Sequence, residues 1–140
     1  MHFRKALITD FPSLHYIRMS VRENILSNPA LVAQNDYELH IKEKGSGWVC
    51  EVDGSIAGFS IINLESGNLW ALFVLPEFEG RGIGRKLLEL VINDAKDGGL
   101  GLIWLTTDLG TRAERLYTQA GWSGKNIESN GEVRFELRLP

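Results

Sequence analysis

Three glycines alternate in the stretch EFEGRGIGRKLLEL, at Gly80, Gly82 and Gly84, and three cations crowd the same place, Arg81, Arg85 and Lys86. That combination suits an anion. A helix start exposes about four N–H groups that have no partner inside the helix. Its aligned peptide dipoles add roughly half a positive charge. Phosphate fits such a place. Glycine carries no Cβ, so the main chain can close on a ligand, and Arg81, Arg85 or Lys86 can add charge-assisted contacts. The familiar phosphate loops do not match by spacing. A Walker loop demands glycine where Arg85 stands, and the Rossmann pattern G-x-G-x-x-G fails from Gly80 and from Gly82. Alone, the segment is compatible with an anion-binding helix mouth and with a plain glycine turn.

The elements around it must position that mouth. An apolar run, LWALFVL (69–75), precedes it and reads as a central strand covered on both faces. The helix that follows places Ile83, Leu87, Leu90, Val91 and Ala95 on one side and Arg85, Glu89, Asn93 and Lys96 on the other. Asp97-Gly98-Gly99 stops it. LIWLTT (102–107) is a further buried strand, and TRAERLYTQAGW (111–122) a short helix with Ala113, Leu116, Tyr117 and Ala120 on one face and Gly121 as its stop.

Upstream, HFRKALI (2–8) reads as a first strand, and Thr9 or Asp10 as the cap of a helix with Pro12 in its first turn. Leu14, Ile17, Val21 and Ile25 share one face of that helix, which Ser27-Asn28-Pro29 breaks. A weaker helix runs from about Asp36 to Lys44, and Gly45-Ser46-Gly47 opens a hairpin of WVCEV and SIAGFSII around Asp53-Gly54. The polar segment SGKNIESNGE (123–132) reads as a loop, and EVRFELRL (132–139) as a closing strand. The predicted order is β-α-α-β-β-β-α-β-α-β, with room for one more strand near 122–128. This is a mixed α/β fold with a sheet part antiparallel and part parallel.

Bulk composition narrows the class. The chain has 140 residues, one ordinary domain spanning 1–140. With 44% hydrophobic and 24% charged residues it is globular in composition. A net charge of −3 argues against a dedicated nucleic-acid binder. The single cysteine, Cys50, excludes an internal disulfide. The early apolar run is too short for a signal peptide, and none approaches the roughly 18 residues of a membrane span. A cytoplasmic location is expected.

Two stretches carry a family resemblance. V74-L75-P76-E77-F78-E79-G80-R81-G82-I83-G84 resembles motif A of the GNAT N-acetyltransferases, V-x-P-x-x-[Q/R]-x-x-G-x-G/A. A113-E114-R115-L116-Y117-T118-Q119-A120-G121-W122 resembles their motif B, A-x-x-[L/F]-Y-x-x-x-G-[F/W]. The element order agrees over nearly the whole chain. The resemblance implies a twisted sheet of six to seven strands, splayed between its two central parallel strands. It implies acetyl-coenzyme A as co-substrate and a primary amine as acceptor, a small molecule or a protein Lys or N-terminus, with direct attack in a ternary complex. Motif A amides from Arg81 to Arg85, with Gly80, are expected on the diphosphate. Leu72, Phe73 and Val74 are expected along the pantetheine arm, because an opened sheet edge offers unpaired N–H and C=O groups to its two amides. One such N–H could also stabilise the thioester oxygen. Tyr117 takes the family's place for the general acid that protonates the leaving thiolate. No metal, nucleic acid or membrane partner is implied; homodimers are frequent in the family.

This chain departs from the pattern twice. Glu79 stands where motif A opens with Gln or Arg, and a carboxylate beside phosphate must point away or pair with an arginine. Gly110 stands where motif B often has a cofactor-contacting Asn, leaving Thr111 or Arg112 as substitutes. No general base is marked: LWALFVL holds no carboxylate, and Asp108, Glu65, His2, His15 and His40 read more simply as solvated or scattered groups. Cys50 and the four tryptophans read as core, though Trp70, on the splaying strand, has a route to the acceptor. A degenerate member that only senses acetyl-coenzyme A is the alternative, and an unrelated nucleotide-binding domain is the other competitor.

Overall fold

Strand alternation and one tight turn build the first half of the sheet. The computed structural model describes residues 1–20, 34–108, 110–128 and 131–140, with the side chains of 125 and 126 excepted. Strands β1 (His2–Lys5), β2 (Gly45–Val52), β3 (Ser55–Asn63) and β4 (Leu69–Val74) lie in that order, all antiparallel. Asp53 and Gly54 connect β2 to β3 with φ of 52° and 82°, two left-handed residues in succession, as a type I′ hairpin turn requires. Strands β5 (Leu102–Thr107), β6 (Ser123–Ile127) and β7 (Val133–Arg138) form a second sheet in the order β5-β7-β6.

Among the described residues the two sheets are joined by one parallel bridge, Asn68 to Trp104, where Trp104 N donates to Gly67 O at 2.9 Å. Beyond that point β4 and β5 part. The parallel splay thus lies between β4 and β5, with strands on both sides of it.

Helices α1 (Phe11–Ser20) and α2 (Gln34–Glu38), the latter running into a wider π turn (Leu39–Lys44), cover one face of the first sheet. Leu14, Ile17 and Tyr37 are buried there against Phe59, Ile61 and Ala71. Val21, Ile25 and the Ser27-Asn28-Pro29 break lie outside the described residues. Helix α3 (Ile83–Asp97) covers the other face and spans both sheets. Ile83 and Leu87 pack with Cys50 and Ala57, while Leu88, Val91 and Ala95 pack with Ile62, Leu69 and Ile103. Leu88 is buried where Leu90 was expected, because the stripe must turn to reach the second sheet. Helix α4 (Arg112–Gln119) sits against the second sheet through Tyr117. No helix among the described residues is long and apolar enough to cross a membrane.

Other local expectations also shift. Asp10 does not cap α1. In the 3-10 turn Ile8–Asp10 its carboxylate accepts from Leu7 N at 2.8 Å and pairs with Arg4 at 2.9 Å, and Arg4 also holds Glu51 at 2.8 Å. Gly45, Ser46 and Gly47 are already strand, since Ser46 is buried and its hydroxyl joins Asp94 of α3 and Lys5 of β1. Trp48 Nε1 donates to the same Asp94 oxygen at 2.7 Å, which ties β2 to α3. Part of the polar 123–132 segment is strand β6, paired with β7, so it is not all loop.

Gly58 lets β3 carry β4 at its correct distance. A Cβ there would meet Phe73 O at 2.9 Å, Val74 Cγ2 at 3.2 Å and Leu87 Cδ1 at 3.3 Å. The nearest of these is backbone and cannot swing aside. Gly58→Ala is expected to destabilise the fold by about 1–3 kcal/mol. Urea unfolding should show a lower midpoint with an unchanged slope.

Candidate active site

The splay is opened by a bulge. Gly58, Phe59, Ser60 and Ile61 of β3 pair with Val74, Phe73, Leu72 and Ala71 in step, but Ile62 pairs with Leu69. Trp70 is therefore the extra residue, and such an insertion bends and twists a strand. It also changes which way the side chains point. Leu69, Leu72 and Val74 pack toward α3, whereas Trp70, Ala71 and Phe73 pack with the α1 and α2 cluster.

Main-chain direction follows from the same pairing. Leu75 N donates to Ala57 O at 2.8 Å. In the antiparallel alternation Phe73 then turns its polar groups to β3, and Leu72 and Val74 turn theirs to the side that β5 has left. The crowding of Phe73 O against Gly58 agrees. Of the three strand residues expected along a pantetheine arm, two offer main-chain groups. Phe73 also lines the opening, although its side chain packs with the α1 and α2 cluster.

Between β4, α3 and α4 lies a cleft of about 660 Å³. Leu72, Phe73, Val74, Gly80, Gly82, Ile83, Gly84 and Arg85 all line it, and Tyr117 lines it from α4. Gly80 and Gly82 have φ of 78° and 83°, and a Cβ built on either would meet nothing within 4 Å. The turn is thus left-handed by demand, with empty space in front of it. After Glu79 N, which donates to Pro76 O at 3.3 Å, the next amide with a main-chain acceptor is Lys86 N, on Gly82 O at 3.1 Å. The amides from Gly80 to Arg85 have no acceptor among the described residues. A row of unspent donors at a helix mouth, facing a cleft, fits a diphosphate.

Arg81 is not part of that lining; its guanidinium packs over the Phe78 ring at 5.1 Å. Thr111 also lies outside it. Its hydroxyl caps α4, accepting from Glu114 N at 3.1 Å and donating to Asp108 O at 2.9 Å. Arg112, the other substitute for the missing Asn, does line the cleft.

Glu79 resolves one expected conflict by pairing. Its carboxylate lies 3.2 Å from Arg112 Nε, linking the turn before α3 to the start of α4. Both residues line the cleft, so an anion bound there meets the carboxylate and the cation together. Glu79→Gln is expected to tighten coenzyme A binding about two- to fivefold at low salt, with the gain fading as salt is added. Calorimetry at two ionic strengths checks it, and weaker binding by the variant would contradict the placement.

Tyr117 is 5% exposed, with its ring 5.4 Å from Trp122 and 6.2 Å from Phe135. Burial pushes its phenol well above the ordinary tyrosine value. The hydroxyl therefore keeps its proton, as an acid requires and a base does not. Among the described lining residues the one carboxylate is Glu79. Glu65 sits on an exposed turn 3.7 Å from Lys44, Asp108 is exposed at the end of β5, and His2 is exposed on β1. Cys50 is fully buried, and burial raises its thiol.

The residues that the sequence did not bring together surround Trp70. His40 stacks on its indole at 4.2 Å, and Tyr37 meets it edge-on at 5.1 Å. His40 Nδ1 donates to Asp36 O at 2.8 Å, since a carbonyl can only accept. The aromatic spacing that would have flagged this set is spread over α2, the π turn after it and β4, so no local period reveals it.

The family model of the acetyltransferase (GNAT) family matches residues 9–122. The chain belongs to this family. Among curated relatives, the ribosomal protein bS18 alanine N-acetyltransferase of Haemophilus influenzae is 30% identical over 80 residues, 56% of this chain and 55% of that one. The chain spans about half the length of the curated relatives it matches. Solved structures share the GNAT fold over nearly all of it. The putative acetyltransferase yncA of Salmonella typhimurium, solved with its cofactor acetyl-CoA, has a TM-score of 0.82 at 20% identity, covering 100% of this chain and 94% of that one. The paia N-acetyltransferase of Thermoplasma acidophilum, in complex with coenzyme A, has a TM-score of 0.82 at 15% identity, covering 99% and 98%.

Proposed function

We propose that this chain transfers the acetyl group of acetyl-coenzyme A to a primary amine by direct attack in a ternary complex. One observation carries the reading: Gly80 and Gly82 to Arg85, whose amides are unspent, line a cleft that Tyr117, with its protonated phenol, also lines. Acetyl-coenzyme A supplies an activated acyl group as a thioester. The chain does the rest. The glycine turn and the α3 mouth hold the diphosphate, with Arg85 and Arg112 adding charge. Leu72 and Val74 offer main-chain groups to the pantetheine amides, and one N–H among them meets the thioester oxygen as it gains charge.

The amine nitrogen bonds to the carbonyl carbon, the carbon–sulfur bond breaks, and Tyr117 Oη gives its proton to the departing sulfur. The proton lost by the amine goes to solvent water, from which the Tyr117 phenolate recovers its own, because no described base lines the cleft apart from the paired Glu79.

A thiol-release assay with acetyl-coenzyme A over a panel of amines tests this. The name of the Haemophilus influenzae relative specifies an alanine of a ribosomal protein, which puts an alanine-terminated peptide on that panel. Calorimetry with coenzyme A, ATP and NAD separates the reading from an unrelated nucleotide domain. Binding of ATP or NAD in preference to coenzyme A would end it. Coenzyme A binding without thiol release on any amine would leave the sensor alternative in its place. The cytoplasm is the proposed location, with a homodimer as one assembly the family allows.

A further inference from the structure

Four of the five buried side-chain polar atoms that find no hydrogen-bond partner among the described residues fall in one place. They are His15 Nδ1, Arg18 Nε, Arg18 Nη1 and Tyr37 Oη, between α1, α2 and β4. Arg18 is the centre of the set. Its guanidinium carbon lies 4.9 Å over the Trp70 ring and 5.0 Å over the Phe73 ring. Tyr37, fully buried, packs edge-on against the same Trp70 at 5.1 Å and lies 6.4 Å from the His15 ring. The ion pairs seen in the structure use other cations: Arg4, Lys5, Lys44, Lys86, Arg112 and Arg134. No described carboxylate pairs with Arg18.

A guanidinium desolvated on two aromatic faces, with two donors idle, is a costly arrangement if nothing ever fills it. Arginine is suited to a carboxylate, whose two oxygens match its planar fork. The position says which carboxylate. Phe73 belongs to both places: its ring carries Arg18, and it lines the cleft that holds Tyr117. Trp70, the other ring against the guanidinium, is the bulge residue that opens β4. A group held by Arg18 therefore belongs to a molecule whose other end reaches the acyl group across Phe73.

We infer that Arg18, seated on Trp70 and Phe73 beside Tyr37, binds a carboxylate carried by the amine acceptor, so that the preferred acceptors are amino acids or other amino carboxylates. This rests on the acetyl-transfer reading above. Arg18 acts as a specificity-determining residue and touches the acceptor at a distance from the reacting nitrogen. Tyr37 adds a hydroxyl donor to the same carboxylate. Burial, with the Asp36 charge nearby, pushes the Tyr37 phenol up while the charge and hydrogen-bonding reach of Arg18 pull the other way, and the balance leaves it protonated to donate.

The test uses paired probes that differ only in the carboxylate: phenylalanine against phenethylamine, and 5-aminopentanoate against pentylamine. The wild-type chain should favour one or both acids by about tenfold or more in kcat/KM, and Arg18→Gln should erase that preference mainly through KM. Arg18→Lys, which keeps the charge and loses the fork, should retain part of it and serves if the Gln variant does not fold. Coenzyme A binding should stay unchanged in both. A second readout needs no turnover: the acids should raise the thermal midpoint of the coenzyme A complex in the wild type and not in the variants. Equal use of acids and plain amines, or acid binding indifferent to Arg18, would overturn the inference. Acid binding that depends on Arg18 without thiol release would support it while removing acetyl transfer.

Discussion

Tyr117→Phe is expected to lower thiol release from acetyl-coenzyme A by about 10²–10⁴-fold, the usual worth of a positioned acid. Binding of coenzyme A should hardly change. The reason is that the substitution removes one hydroxyl and nothing else. The ring keeps its neighbours Trp122 and Phe135 at 5.4 and 6.2 Å, so the second sheet stays covered. The loss should therefore appear in kcat, with calorimetry showing the same affinity. A pH series adds a sign. A lysine-like acceptor amine, with an ordinary value near 10.4, must lose a proton, and an α-amine must do so from a lower value, so the rate climbs with pH. Burial holds the Tyr117 phenol above its ordinary value of about 10, so it supplies no falling limb below that pH. The same shift is a stability statement. The fold gains nothing from it below about pH 10, where folded and unfolded phenols are both protonated, and loses stability above that as the unfolded phenol ionises. A Phe variant as fast as the parent would remove Tyr117 from the chemistry.

What could be read from the chain divides along a physical line. The glycine turn was legible because the demand is local: left-handed φ at Gly80 and Gly82, then an apolar stripe from Ile83. Tyr117 was legible through its neighbours in sequence, and the Asp53-Gly54 hairpin through its dipeptide. The bulge at Trp70 was not. LWALFVL is apolar at every position, so it has no period of two from which a slipped residue could be seen. Pairing over long distances was hidden in the same way. Glu79 looked like a misfit until Arg112 arrived from another helix, and Thr111 looked available until the start of α4 claimed its hydroxyl. Arg18 carries no local signal in the sequence, and its idle donors exist only once two aromatic rings of β4 lie against it. Sequence shows what a residue can do; the bonds that use up or spare its capacity are tertiary.

The second large effect concerns the turn itself, and it has a control inside the molecule. Gly82 and Gly99 share a left-handed backbone, φ 83° and 81°, and a Cβ on either would meet nothing within 4 Å. Alanine at each should thus cost a similar strain, roughly 1–2 kcal/mol. Both variants should unfold at a lower temperature by roughly 5 °C. Only one of them faces the cleft. At Gly82 the new methyl projects into the space that a diphosphate must occupy, and the strained turn no longer aims its amides. Coenzyme A affinity should fall about 10–100-fold in Gly82→Ala, since one to two units of 1.4 kcal/mol separate a held phosphate from a lost one. Gly99→Ala, at the far end of α3, should bind as the parent does. Thermal unfolding and calorimetry on the same two proteins separate strain from recognition. If the two variants weaken coenzyme A binding equally, or not at all, the amides ahead of α3 do not hold the diphosphate, and the cofactor must be gripped elsewhere.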